Sequence, residues 1–202
     1  MVLRVLVSPF GNAQAIIYAY RKLGILGIPA TTASDLLNSS HIVIPGVGNF
    51  GALVRYLRKN GFEKSLKFSA SNGAKILGVC VGMQALFNSS EESPDEIGLG
   101  FLDSHCIKLD SNLAKVPHVG WSDVTNIKEH QLTTGLGEVF PAYYSHSFHI
   151  PIIPKLTISS TKDGFSMSAI VVQGNVAGVQ FHPEKSQTNG LKLLDNFHRW
   201  DS

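Results

Sequence analysis

Lys75-Ile76-Leu77-Gly78-Val79-Cys80-Val81-Gly82-Met83-Gln84 is the stretch from which the architecture is read. Residues 75–79 are a short apolar run, the length of a buried strand, and residues 82–88 continue at once as a helix. Between them lies Gly78-x-Cys80-x-Gly82, the glycine-x-nucleophile-x-glycine pattern of a nucleophile elbow, with cysteine in place of serine. The turn requires the glycines, because side chains two positions from the nucleophile would collide in so tight a bend. A helix that starts just after Cys80 points backbone N–H groups at the sulfur and favours thiolate over thiol. The competing reading is a buried structural cysteine, the commoner state of a lone thiol.

The same strand-then-helix unit recurs on the N-terminal side. Residues 3–7 read as a buried strand, and 13–23 carry apolar residues at helical spacing after Asn12, a cap. Residues 41–45 are a further apolar run, followed by a glycine-rich turn and a helix over 51–59. Strands alternating with helices at this spacing predict a mostly parallel sheet with helices on both faces. On the C-terminal side the pattern changes. Segments 100–108, 121–124, 142–146, 156–160, 169–172 and 176–180 are strand-like with no long helix among them, and predict antiparallel additions to the same sheet. Residues 186–200 close the chain as an amphipathic helix with Leu191, Leu194, Phe197 and Trp200 facing inward. The expectation is one three-layer α/β domain over residues 1–202.

A thiol nucleophile needs a base. In Val179-Gln180-Phe181-His182-Pro183-Glu184, His182 falls just past a predicted strand, with a carboxylate two residues on. His182 would take the thiol proton and later protonate a leaving amine, while Glu184 would orient and stabilise the imidazolium. Parallel strands end at one edge of an open sheet, where residues beyond two of them meet. By itself, His-Pro-Glu is weak evidence, since His next to Pro is more often merely a turn. Pro45-Gly46-Val47-Gly48-Asn49-Phe50-Gly51 lacks the lysine and hydroxyl of a P-loop and the spacing of a dinucleotide fingerprint. Beside an elbow, its flexible backbone would present an N–H to a developing oxyanion. His146 and His149 stand three apart, but strand alternation would put them on opposite faces, so no metal site is expected.

Composition narrows the classes of function. A chain of 202 residues, 44% hydrophobic and 16% charged, can bury a sizeable core. Its net charge of +2 comes with no basic run or basic–aromatic stripe, which argues against nucleic acid. Residues 1–7 are apolar but Ser8-Pro9 interrupts them, so neither a signal peptide nor a membrane span is expected. Two cysteines, Cys80 and Cys106, make no disulfide framework; free thiols in the cytoplasm are expected, with Cys106 structural.

Five segments then occur in a familiar order: residues 44–51, 78–84, Val116-Pro117-His118-Val119-Gly120-Trp121, Ser145-His146-Ser147-Phe148, and 178–186. Together they resemble the class I, triad-type glutamine amidotransferases. The PGVG and PHVGW forms are most similar to the branch of glutaminase subunits of imidazole glycerol phosphate synthase. The resemblance runs from near residue 40 to the C-terminus. It implies a flavodoxin-like three-layer fold and, without cofactor, hydrolysis of glutamine, with ammonia passed to a separate TIM-barrel cyclase subunit in a heterodimer of histidine biosynthesis. It also implies roles: Cys80 as nucleophile with His182 and Glu184, and the Val81 amide as one oxyanion donor. The Gly46–Val47 peptide would be the other donor after reorienting. Gln84, Ser147 and Phe148 would hold the amino-acid end of glutamine, and Asn12, Trp121 and Lys185 would face the partner. There are departures from the family pattern: Ser8-Pro9-Phe10-Gly11-Asn12 replaces an Asp-Tyr-Gly, Ala15 a polar residue, and Ser122 a frequent asparagine. All look partner-facing, which keeps open a different synthase as acceptor, such as one aminating a nucleotide-linked sugar for a surface polysaccharide. A stand-alone cysteine hydrolase or a non-catalytic regulatory domain on the same fold belongs to a different class.

Overall fold

The structure, a computed structural model, describes residues 1–201; Ser202, the last residue of the predicted domain, lies outside them. The first half of the chain runs β1 (Leu3–Leu6), α1 (Ala13–Lys22), β2 (Gly27–Ala30), β3 (His41–Gly46), α2 (Phe50–Lys59), α3 (Phe62–Ser71), β4 (Lys75–Cys80) and α4 (Val81–Ala85). The second runs β5 (Ser89–Ser90), β6 (His105–Lys108), β7 (His118–Asn126), β8 (Val139–His146), β9 (Phe148–His149), β10 (Thr157–Lys162), β11 (Ser166–Gln173), β12 (Val176–Val179) and α5 (Gln187–His198).

The main sheet has the order β2-β1-β3-β4-β12-β11-β10-β7-β8. From β2 to β12 neighbouring strands are parallel; from β12 to β8 they are antiparallel. All six residues of β3 and of β4 are buried, as expected of parallel strands covered on both faces. α1 packs with α5, and α2 packs with α3 and α4, which supplies the two helical layers. Asn12 and Asn49 start α1 and α2 by accepting from Ala15 N–H at 3.1 Å and Ala52 N–H at 2.9 Å. No helix among the described residues is long and apolar enough to cross a membrane.

The structure corrects the sequence reading in three places. The predicted strand over 100–108 shrinks to His105–Lys108 and leaves the main sheet for a small one, ordered β5-β6-β9. The residues before it have other work. Leu99 N–H donates to the Ala85 carbonyl and Phe101 N–H to Leu86, each at 2.8 Å, so this loop satisfies the C-terminal carbonyls of α4. For the same reason the helix predicted over 82–88 stops at Ala85. Among the elements that went unread are β2, α3 and the two-residue β5. β2 is a short sheet edge that tolerates Pro29, and α3 carries a buried stripe of Phe62, Leu66 and Ser69.

Register positions the site. Gly46 of β3 pairs with Cys80 of β4, and Val79 of β4 pairs with Val179 of β12. Three parallel strands therefore end level, and the loops leaving them start from one edge.

Candidate active site

Cys80 ends β4 with φ 54° and ψ −113°, a left-handed conformation that is strained for any residue with a side chain. Close packing enforces it. A Cβ on Gly82 would run into the Ile44 carbonyl, and one on Gly78 into the Gly82 carbonyl. The glycines thus let β3 approach the elbow as well as making the turn. The thiol is 1% exposed, with Ser145 O at 3.9 Å and Gln180 Nε2 at 3.7 Å from Sγ.

His182 follows the end of β12 and is clamped to β8. Its N–H donates to Tyr143 O at 2.8 Å, and its carbonyl accepts from Ser186 Oγ at 2.7 Å. Ser186 Oγ in turn accepts from Tyr143 N–H at 2.9 Å. The ring Nδ1 lies 2.9 Å from Glu184 Oε1, and both side chains are 4% exposed. Burial alone would pull this imidazole down, but hydrogen bonding to Cys80 and Glu184, together with their charges, outweighs it and pushes His182 up to about 10. Cys80, His182 and Glu184 are thus brought together, as nucleophilic acyl transfer through a thiol requires.

A cavity of about 310 Å³ opens beside the thiol. Val81, Gln84, Ser147, Phe148 and His182 line it, together with Val47 and Gly48. Gln84 Nε2 donates to Phe148 O at 2.8 Å and contacts Gln180 Oε1 at 3.1 Å, so its amide protons are engaged and its own oxygen is the group left for a ligand. Glu92 also lines the cavity, a carboxylate suited to an ammonium group. Sequence reasoning missed it, since one acidic residue in a loop reads as a solvated surface group. Of the two oxyanion candidates, the Val81 amide starts α4. The Val47 amide donates to Phe10 O at 2.8 Å and is not free.

Trp121 is 47% exposed and meets Tyr143 edge-on at 6.0 Å, while Lys185 Nζ stands 5.5 Å over the same ring. These three form one stack, of which Tyr143 was not anticipated. Asn12 is exposed, with its side-chain oxygen used in capping α1. Ser122 shares a surface hollow with Trp121, and its half-buried hydroxyl lies 2.8 Å from His118 Nε2 and donates to Asp163 Oδ2 at 2.9 Å. His146 and His149 share no continuous strand, because β8 ends at the first and β9 begins at Phe148. His146 also lines the cavity, but Phe148 O lies 2.9 Å from its Nδ1 and His118 Nδ1 lies 3.1 Å from its Nε2, which leaves neither nitrogen for Cys80.

An elbow cysteine facing a carboxylate-backed histidine on this sheet is what one class of enzyme is built around. The model of the class-I glutamine amidotransferases matches residues 10–200, and the chain belongs to that family. A crystal structure of a glutamine amidotransferase shares the fold with a TM-score of 0.77 at 18% identity, covering 98% of this chain and 97% of that one. The PurLQS structure from Thermotoga maritima does so with 0.77 at 19%, covering 98% and 99%. Within the family the chain falls among the HisH subunits of imidazole glycerol phosphate synthase. It is 36% identical to that of Sulfurimonas denitrificans over 94% of each chain, and 41% identical to that of Sulfolobus acidocaldarius over 79% of each. To the subunit HisH 1 of Campylobacter jejuni it is 33% identical over 94% of this chain and 95% of that one.

Proposed function

We propose that this chain hydrolyses glutamine through a thioester on Cys80 and delivers the ammonia to a TIM-barrel cyclase partner in a cytoplasmic heterodimer. There the ammonia would react with a phosphoribulosyl formimino-carboxamide nucleotide to give imidazole glycerol phosphate and the aminoimidazole carboxamide ribotide of histidine biosynthesis. The observation that carries the chemistry is the level ending of β4 and β12, which sets His182 against Cys80 beside an amino-acid-sized cavity. His182 holds the thiol proton while Sγ attacks the side-chain amide carbon. The amide oxygen becomes an oxyanion facing the Val81 amide. His182 then protonates the leaving nitrogen, ammonia departs, and a γ-glutamyl thioester remains. Water, deprotonated by His182, attacks the thioester and releases glutamate and the thiol. Glu184 holds the imidazole throughout. The full-length kinship with HisH subunits supports the cyclase as acceptor.

The partner would also switch the chain on. Ammonia released into water becomes mostly ammonium and loses its nucleophilicity. In support, the Val47 N–H is engaged by Phe10 O, while Gly48, at φ +83° with open space around it, allows the peptide to turn. A bias of about 3 kcal/mol from a partner carrying its substrate would shift the competent population roughly a hundredfold. The test compares glutamine turnover by the isolated chain, the complex, and the complex with acceptor ligand. Three equal rates would remove the gating, and no turnover in any would remove the glutaminase reading.

A further inference from the structure

We propose that Gln180 is a positioning residue for the nucleophile: its side-chain amide donates a hydrogen bond to Cys80 Sγ, and Gln84 fixes the direction of that amide. The proposal rests on reading Cys80 as the glutaminase nucleophile. Gln180 follows β12, and its backbone N–H donates to Ala169 O at 2.9 Å. In an extended chain alternate residues point to the same side. Gln180 and His182 accordingly both reach Cys80, while Phe181 between them packs against Phe140 and Tyr144. Gln180 is 0% exposed, so its amide must find its partners inside the protein.

The direction follows from counting protons. A backbone carbonyl only accepts, so the 2.8 Å contact with Phe148 O must be made by Nε2 of the Gln84 amide. That nitrogen has a second hydrogen, which it donates to Gln180 Oε1 at 3.1 Å. With its oxygen used there, Gln180 turns its own Nε2 to the nucleophile, 3.7 Å from Sγ. A flipped Gln180 would set two NH2 groups against each other and leave the sulfur facing an oxygen. The Phe148 carbonyl thus determines, two amides away, that Cys80 meets a donor.

The sulfur has use for one. Ser145 O, 3.9 Å away, is an acceptor that suits the thiol S–H and opposes a thiolate. α4 has only five residues, so few aligned peptides stand behind Cys80. His182 supplies a positive partner, and Gln180 adds a neutral donor to it. Sulfur bears negative charge twice in the reaction, before it attacks and again as the thioester breaks, and the same N–H meets it both times. Of the other titratable groups nearby, His146, Glu92 and Lys185 line the cavity, Glu184 stands behind His182, and burial keeps Cys106 a thiol.

The test compares wild type with two variants of similar size. Gln180→Met has no donor, and Gln180→Glu still offers Gln84 an oxygen but turns a second one towards Sγ. Alkylation of Cys80 by iodoacetamide is followed against pH on the full chain, and kcat/KM for glutamine against pH on its complex with the cyclase partner. Gln180→Met should react about tenfold more slowly on the acid limb of the alkylation profile, the size of one hydrogen bond to a charged group, and reach the wild-type rate at alkaline pH. Gln180→Glu should be slower still, because a carboxylate beside the sulfur repels the thiolate. kcat/KM should fall along the same limb. If Gln180 served only to hold Gln84, the order would reverse, since Glu keeps that bond and Met loses it. In wild type, the Gln180 side-chain amide protons, followed by NMR, should shift as Cys80 ionises and stay fixed in Cys80→Ala, a measurement that needs no variant at position 180. An unchanged acid limb in Gln180→Met, a loss equal at every pH, Gln180→Glu at least as reactive as Gln180→Met, or amide protons indifferent to Cys80 would each overturn the proposal. If wild type does not hydrolyse glutamine, the glutaminase reading fails, and the alkylation profiles and amide shifts still decide whether Gln180 bonds the sulfur.

Discussion

The parallel half of the main sheet, β2 to β12, and the antiparallel half, β11 to β8, contribute different parts of the site and are built by different rules. β3 and β4 are buried along their whole length, and their ends, with the end of β12, bring the Gly46 peptide, Cys80 and His182 to one edge. In the other half, β7 and β8 alternate buried and open positions and leave Val119 56%, Trp121 47% and Val139 51% exposed. This half supplies Tyr143 and the Ser147–Phe148 wall that follows β8. Reacting atoms need fixed separations, which a backbone covered on both faces maintains. A wall and a partner face need reach and adjustability, which a half-open antiparallel sheet retains.

The comparison breaks most visibly at Cys80. Cys80→Ala should lower glutamine hydrolysis about 10⁴-fold or more, while ammonia-dependent synthesis by the complex survives; a normal glutaminase rate would end the assignment. His182→Ala should be nearly as damaging. Glu184→Gln, which disturbs orientation and charge only, should cost about 10²-fold in kcat. Next comes stability, read from denaturant midpoints. Gly82→Ala drives a Cβ into the Ile44 carbonyl and should cost about 3 kcal/mol. Gly120→Ala in β7 meets no atom within 4 Å, but must hold φ +141°, and should cost about 1 kcal/mol. Equal losses would mean that the two halves do not differ in rigidity. Trp121→Ala is expected to weaken cyclase binding about tenfold in a titration, with the melting temperature of the free chain unchanged.

A further effect is on pH dependence, and the halves should differ in sign. His182 is raised on folding, so its contribution to stability is complete below its unfolded value near 6.5 and is lost as pH climbs towards 10. His146 is lowered, so its contribution is present above 6.5 and is lost as pH falls towards 3. Cys80→Ala should flatten the alkaline limb of a stability–pH curve, and His146→Gln the acid limb. Any other pairing would assign the limbs to different groups.

Three strand–helix units, β1–α1, β3–α2 and β4–α4, were legible in the residue pattern, as were the elbow at Cys80 and the pairing of a histidine with a carboxylate two residues on. These are legible because each is local: helical spacing, strand length and tight turns depend on neighbouring side chains. The remaining contacts were set by tertiary packing. It turned residues 100–102, the start of the strand predicted over 100–108, into part of the cap of α4, because carbonyls stranded at a helix end must find donors. It also brought Glu92 to the cavity and gave the Ser122 hydroxyl Asp163 as its acceptor. The Val47 amide became engaged by Phe10 in the same way. Each of these joins groups well separated along the chain. Which partner a polar group finds there is settled by how strands and loops meet in space, and no local pattern of residues records it.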